Sequence, residues 1–570
     1  MTDLKNDGSF LRKTYFPALF PNIIAVLGGT INVFFDGILV GQKLGDIGLQ
    51  AVNQSLPIYL ILCTIGSLLA SGASILSSVA FGKEDKKEAQ RIFNGTLWMS
   101  MLVSVAVCGI GFIFSSGISS IISTPETYEY VLTYVRITVI GGIFKIMLYM
   151  SYFYLRLEGK NKRLMSAMLL MTVLNIILDY VFLFVFNFEM AGAAWASVIA
   201  TAIACLVSFL FLFTGNSNFK PSFCLLKMKD LAAILRYGSP MALNNVLSSV
   251  RVLAINLILK TMGISSLLTI FAVVNNLNEF SICIQNGVPQ TASAMTGVLC
   301  GEKDSLSIKR LLKLQIFSGV ALSAVLAVLF TAFPSLLARA FGSEVDCTFA
   351  IVCFSVGLLF ATFNSIMSYH YNAIGRISMA NVIILCRGLI TVAGFFLLST
   401  LLGEKIWLVY PAAEVITSII FVLTGLYVSR APNVSRFYLI DESFERSGTD
   451  ISFTVECDNE KICEASEKIR DFCDENEFAP KKAMAISLAI EEILTIISEK
   501  SLMGHGNLDV RVIKSGENGI IRIRSGGKRY DPFESQDDSL DYMGVQMISK
   551  LATDIQYLSV LGVNTLIIFI

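Results

Sequence analysis

The sequence predicts an α-helical polytopic membrane protein with about twelve transmembrane helices in two six-helix lobes, followed by a C-terminal α+β two-layer cytoplasmic domain. Three observations carry this expectation. Hydrophobic residues make up 54% of the chain against 15% charged, and the mean hydropathy is +0.67, well beyond what a soluble core requires. Apolar runs of about 18 to 30 residues, long enough to cross a bilayer as helices, recur about twelve times before Arg430. After Arg430 the composition turns polar for roughly 125 residues, enough for one small domain.

The spans are expected near 15–41, 49–80, 92–114, 128–155, 164–186, 191–214, 236–260, 267–299, 311–333, 347–374, 380–402 and 408–429. A polar N-terminus leads into the first run without a small-residue cleavage site, so the first helix itself would direct insertion. Loops after even-numbered spans are basic: Lys83 to Arg91, Arg156 to Arg163, Lys227 and Lys229, Lys303 to Arg310, Arg376, and Arg430 with Arg436. Ser115 to Tyr128, Asn187 to Met190 and Thr261 to Ser266 carry no Lys or Arg. The positive-inside rule then puts both termini in the cytoplasm. The halves repeat: Gly41 to Gly45, a long span and Phe81-Gly82-Lys83-Glu84-Asp85 recur as Leu259 to Gly263, a long span and Cys300-Gly301-Glu302-Lys303-Asp304. Six spans per copy keep both copies in one orientation, so the lobes, 1–220 and 221–432, would be related by an axis along the membrane normal and enclose a cavity.

Ala431-Pro432-Asn433 would break the last helix, and 433–570 forms the tail domain. There Ile451 to Cys457 alternates as a strand, and Lys461 to Asn476 and Ala479 to Leu502 read as amphipathic helices. Leu508 to Ile513 and Gly519 to Arg524 read as a hairpin, followed by a helix over Met543 to Thr553 and a strand over Thr565 to Ile570.

Several chemistries are excluded. The formal net charge is zero and no basic stripe suits nucleic acid. The chain has 12 cysteines and 2 histidines; the cysteines occur singly, without metal-ligand spacing, and read as reduced packing residues. No catalytic centre is expected and no cofactor is required.

Polar groups inside the apolar runs carry the functional signal. Asn175 and Asp179 lie one turn apart on a single helix face. A carboxylate at the bilayer centre costs roughly 2.5 to 3.5 kcal/mol, so it normally faces a protein interior or a water-filled cavity; the bland alternative is an Asp capping a helix end or reaching the headgroups. The second half is polar differently, with Asn244, Arg251, Asn275, Asn278, Glu279, Arg387 and Glu414 on its spans. Arg and Lys there would attract an anionic or zwitterionic substrate. Alternatively Arg251 with Glu279, or Arg387 with Glu414, would form salt bridges between the lobes.

Taken in order, Pro21 and Asp36, Gly72-Ala73-Ser74, Gly82 to Ala89, Leu157-Glu158-Gly159-Lys160-Asn161, Leu174-Asn175-Ile-Ile-Leu-Asp179 and Ala191 to Ser197 resemble the multidrug and toxic compound extrusion (MATE) transporters, over roughly residues 10 to 430. The resemblance implies two lobes that alternate access, exporting small organic molecules against inward sodium or protons across a bacterial cytoplasmic membrane. Asp36, Asn175 and Asp179 match the amino-lobe polar cluster of the DinF-like branch. Ser197 stands where Thr is usual, and Thr201 one turn on could substitute. Oxygen ligands of this kind suit a hard cation, and the same carboxylates could take a proton. A flippase of an amphiphilic anionic substrate and a membrane-tethered signalling protein are the alternatives.

The tail resembles anti-sigma-factor kinases of the Bergerat-fold ATPase superfamily. Leu488-Ala-Ile-Glu491-Glu492-Ile-Leu-Thr495 matches their first helix motif, Ser525 to Phe533 their Asp-x-Gly-x-x-Phe-Asp-Pro loop, and Met543 to Ile548 their lid. Glu492, Ser525, Gly527, Asp531 and Gly544 would line a nucleotide-like pocket. Ile496 replaces the magnesium-binding Asn, and Ser525 replaces the Asp that receives adenine. These departures imply a catalytically inactive, regulatory domain that binds a nucleotide, another ligand or a cytoplasmic protein.

Overall fold

The computed structural model describes residues 8–570 other than 216, 263, 341–344, 402, 431–433, 436, 442–448, 477, 516–517 and 535–542. Its membrane part comprises α1 (Ser9–Gly82), α2 (Lys86–Ile113), the short α3 (Ser115–Ile122), α4 (Tyr128–Leu157), α5 (Asn161–Tyr180) and α6 (Glu189–Phe213). The second half comprises α7 (Met228–Thr261), α8 (Ser265–Gly301), α9 (Ser305–Ala332), the short α10 (Pro334–Ala340), α11 (Thr348–Ala373), α12 (Ile377–Leu401) and α13 (Val409–Val428). Among the described residues, twelve helical spans are long and apolar enough to cross a membrane. α1 contains two of them, Ser9–Gly45 and Ile47–Gly82. They join at Gly45, whose φ of 67° and ψ of −157° only glycine adopts readily. The short α3 and α10 were not expected. The breaker Ala431-Pro432-Asn433 lies outside the described residues, as does Gly263.

The internal repeat is visible in backbone geometry. The α1–α2 turn puts Glu84 at φ 67° and the α8–α9 turn puts Lys303 at φ 55°. In both, the following Asp caps the next helix: Asp85 Oδ1 accepts from Glu88 N at 2.8 Å, and Asp304 Oδ1 from Ser307 N at 3.0 Å. Between the halves, α1 packs on α7 and α8. Glycines make this approach possible. A Cβ on Gly82 would stand 1.9 Å from the Val298 carbonyl oxygen, and one on Gly301 would stand 2.3 Å from that of Val79. Gly72 and Gly238 abut the backbones of Ile234 and Leu68 in the same way. This seam brings the halves into backbone contact at the end of the bundle that carries the tail.

The tail is built from β1 (Thr449–Glu456), α14 (Asn459–Glu475), α15 (Pro480–Lys500), β2 (Asn507–Ser515), β3 (Asn518–Ser525), α16 (Met543–Leu551), β4 (Asp554–Val560) and β5 (Val563–Phe569). Its strands form one antiparallel sheet in the order β1-β2-β3-β5-β4. β4 is an addition to the expected strands. Strand alternation separates two faces. Phe453, Val455, Val510, Val512, Ile521, Ile523, Leu566 and Ile568 pack under the helices. The opposite face carries Asp509, Arg511, Arg522 and Arg524, all buried, with Leu558, Val560 and Ile567, which join the core of the first lobe. A sheet face with three arginines is buried because the membrane part covers it.

Candidate functional site

The first lobe holds a pair of buried carboxylates. Asp36 projects from α1 and Asp179 from α5, close enough to influence each other electrostatically. Tyr134 of α4 donates to Asp36 Oδ2 at 3.4 Å, and Asn175 Nδ2 donates to Ser197 Oγ of α6 at 3.0 Å. Four helices thus converge on one point. Asp36 Oδ1, Asp179 Oδ1 and Oδ2, and Asn175 Oδ1 are buried without a hydrogen-bond partner. Buried polar oxygens are normally satisfied, so these four form an acceptor-only cage suited to a proton or a hard cation. Asp179 is followed by a π-helical turn, Val181–Val185, a distortion frequent at functional sites. Thr201 lies one turn beyond Ser197, half-buried, and makes no side-chain hydrogen bond among the described residues. Two neighbours were missed from sequence. Tyr134 gave no local signal, but Asn32, whose Oδ1 is also unpartnered, stands one turn before Asp36, and that i, i+4 spacing was readable.

Two cavities lie away from this pair. The first, about 690 Å³, is lined by both lobes, with Ser71, Ser74 and Arg156 from the first and Asn244, Gln290, Asn372 and Arg387 from the second. The second, about 540 Å³, lies within the second lobe and is lined by Arg251, Asn275, Asn278, Gln285, Arg387, Tyr410 and Glu414 among others. Glu279 lines neither, and its carbonyl accepts from Thr30 of α1 at 3.4 Å.

The expected salt bridges divide. Arg387 pairs with Glu414 at 3.0 Å, but both belong to the second lobe, so the bridge is not between lobes. Arg251 and Glu279 do not come within salt-bridge distance; consecutive helices fix neither the rotation nor the rotamer that would join them. Arg156, read from sequence as a loop cation, is corrected most. It is buried, 4% exposed, on the last turn of α4, and its Nε donates to Asn22 Oδ1 at 2.9 Å and its Nη1 to Gln290 Oε1 at 2.5 Å. Its guanidinium also bonds the Tyr152 hydroxyl and sits 4.1 Å from that ring centroid. The Tyr152 and Arg156 spacing of one turn was the available signal.

In the tail, the nucleotide-like residues lie against the domain's own backbone and side chains. Glu492 Oε2 accepts from Gly544 N at 2.7 Å, and a Cβ on Gly544 would meet Ala489 Cα at 3.0 Å, so α16 starts directly against α15. Gly527 presses on the Ser501 carbonyl, and its own carbonyl accepts from Asn564 at 3.0 Å. Ser525 is buried at the end of β3, and Asp531 caps its own turn through Phe533 N at 2.9 Å. The lid segment 535–542 lies outside the described residues.

The arginine face of the sheet meets both halves of the membrane part. Arg522 Nη2 lies 3.1 Å from Glu84 Oε1, in the first lobe's α1–α2 turn. Arg524 bonds Glu302 and lies 3.3 Å from Asp304 Oδ2, in the second lobe's α8–α9 turn. Arg511 Nη1 lies 3.5 Å from Asp304 Oδ1. Leu561 N donates to the Leu157 carbonyl at 2.9 Å, Asn218 Nδ2 to the Ser559 carbonyl at 2.6 Å, and Lys86 bonds the Tyr557 carbonyl. The last three contacts are to the first lobe and the linker.

Residues 17–181 match the MatE family model. Over 403 residues the chain is 25% identical to the multidrug export protein MepA of Staphylococcus haemolyticus, covering 68% of this chain and 86% of that protein. Over 342 residues it is 26% identical to the probable multidrug resistance protein YoeA of Bacillus subtilis, covering 58% and 72%. Among solved structures, an outward-facing multidrug resistance MATE family transporter of the MOP superfamily superposes with a TM-score of 0.69 at 22% identity, covering 73% of this chain and 95% of that one. A MOP superfamily transporter from Pyrococcus furiosus superposes with a TM-score of 0.68 at 21% identity, covering 73% and 95%. The structural likenesses show the fold. Together the comparisons show that the membrane part of this chain is similar to MATE transporters in sequence and in fold.

Proposed function

We propose that the protein exports small organic molecules by alternating access, driven by inward movement of sodium ions or protons, and that its cytoplasmic tail modulates the cycle. One observation carries the coupling: four buried oxygens of Asp36, Asn175 and Asp179 lack a hydrogen-bond partner. A site that releases its ion to one side and refills from the other has to be costly when empty, and unsatisfied carboxylates in a low-dielectric interior are costly. Occupancy then biases the balance of lobe arrangements through differential affinity. Asp36 and Asp179 sit on different helices, so ion binding ties α1 to α5, and Asn175 and Ser197 extend the tie to α6. The relatives' names, multidrug export and multidrug resistance, supply the substrate class. For the tail, the support is that its sheet contacts the α1–α2 turn of one lobe and the α8–α9 turn of the other, so their separation at that end requires it to shift.

Purified protein in liposomes, with an imposed sodium or proton gradient, tests the coupling. Gradient-driven flux is expected from the native chain and a loss of at least tenfold from Asp179→Asn and from Asp36→Asn. Undiminished gradient-driven flux in Asp179→Asn would overturn the assignment.

A further inference from the structure

We infer that the cavity between the lobes is a binding site for an organic anion with a hydroxylated or otherwise hydrogen-bonding periphery, in which Arg156 reads the negative charge. The inference rests on the transporter reading and names the substrate class of its cavity.

Among the described residues the ionisable groups lining the cavity of about 690 Å³ are Arg156, Arg387 and Tyr369, with no carboxylate. The remaining polar lining is serine hydroxyls and the amides of Asn244, Gln290 and Asn372. Arg387 has a counter-charge in Glu414 at 3.0 Å. Arg156 does not: each of its hydrogen-bond partners, Asn22, Gln290 and Tyr152, is neutral. A buried guanidinium held only by neutral acceptors keeps its whole charge, and holding one there is expensive unless an anion arrives. Stability alone would be better served by a carboxylate neighbour or an apolar residue.

The second cavity continues the pattern. Arg387 lines it as well, facing both spaces, and Arg251 projects into it with no carboxylate within salt-bridge distance among the described residues. Across the two cavities, Arg156, Arg251 and Arg387 stand against Glu414. The carboxylates of the first lobe, Asp36 and Asp179, line neither, so the paired-carboxylate site and the cationic cavity are separate. A lipophilic cation would meet repulsion from the guanidinium of Arg156 here. An anion would gain charge-assisted, fork-shaped hydrogen bonds from guanidinium, and its hydroxyls would find the serine and amide groups.

The test uses the full-length protein in detergent, with matched probes measured by isothermal titration. 4-Methylumbelliferyl glucuronide and 4-methylumbelliferyl glucoside share an aglycone and a hydroxylated ring, and differ by the carboxylate. Tetraphenylphosphonium is the lipophilic cation. The glucuronide is expected to bind about 10- to 100-fold more tightly than the glucoside, the scale of one charge-assisted hydrogen-bonded contact. Arg156→Gln should bring that ratio to about one. Arg156→Lys, which keeps the charge and guards against simple misfolding, should retain most of the preference. Equal affinities for the two sugars, tighter binding of tetraphenylphosphonium, or a preference that survives Arg156→Gln would each overturn the inference. These outcomes separate it from the transporter reading. Gradient-driven efflux of tetraphenylphosphonium without anion preference leaves that reading standing; anion preference in a protein that no gradient drives leaves this one standing.

Discussion

Replacing Arg524 with alanine should release the tail from the second lobe. Its guanidinium lies among Glu302, Asp304 and Asp509, with all four side chains 5–7% exposed. Breaking a buried ion pair by removing one partner costs about 3 to 5 kcal/mol, because the carboxylates left behind remain desolvated. Burial pushes the Asp304 carboxyl up, but Arg524 and Arg511 outweigh it and hold it at about 2, against an ordinary value of 3.8. At about 1.36 kcal/mol per unit, this amounts to roughly 2.5 kcal/mol, consistent in scale with the ion-pair figure. The sign follows from the depressed value: Asp304 contributes fully above about pH 4 and loses its contribution as pH falls toward 2. Asp509 acts oppositely. Burial, reinforced by Asp304 and Glu302, pushes it up to about 6 despite Arg524, so its contribution is present below 3.8 and lost as pH rises through 6. The assay is hydrogen exchange with mass spectrometry on the full chain. Arg524→Ala should raise exchange at the Leu561 amide, which bonds Leu157, and across Ser305 to Ile308, by about a hundred- to several-thousand-fold where exchange follows undocking. The α15 core, Ile490 to Ile497, should keep its protection. Arg470→Ala, which loses only the exposed pair with Asp474, should change nothing. Unchanged protection at Leu561, or an equal loss throughout α15, would refute the reasoning, the second because it signals unfolding and not undocking.

Other outcomes follow from the same geometry. Asp509→Asn should raise the protein's thermal stability at pH 7.5 by up to about 3 kcal/mol and flatten its pH dependence between about pH 4 and 6, as calorimetry across that range would show. Gly159 has φ 72°, and a Cβ there would stand 2.1 Å from Gly562 N, so Gly159→Ala should speed exchange at Leu561 while α4 and α5 remain helical by circular dichroism. Glu492→Gln keeps an oxygen for Gly544 N and should leave α16 protected, whereas Glu492→Ala should cost about 1 to 3 kcal/mol of α16 protection.

The spans were legible because membrane helices write themselves as uninterrupted apolar length, and the repeat because Phe81 to Asp85 and Cys300 to Asp304 share a turn whose closing Asp caps the next helix. The Asn175 and Asp179 face was legible from helical spacing, although their meeting with Asp36 joins segments far apart in sequence. Arg156 was misread because a cation at a span end has the same local appearance whether it enters a headgroup region or turns inward; only its packing on Tyr152 and Gln290 distinguishes them. The hairpin carrying Arg511, Arg522 and Arg524 could be read from alternation. What those side chains face could not, since Glu84, Glu302 and Asp304 lie more than 200 positions earlier. For the tail, the order of the segments was legible, but the seating of Gly544 on Glu492 is a matter of how two helices close.

The contact of Gly82 with Gly301 also has a kinetic meaning. A joint between two helices that is closed by side chains must order rotamers each time it shuts and free them each time it parts. A joint closed by bare backbone has nothing to comb back into place, so a parting of the two halves there would need no repacking step. The same bareness makes it vulnerable, because one methyl group at position 82 would meet the Val298 carbonyl at 1.9 Å and act as a doorstop.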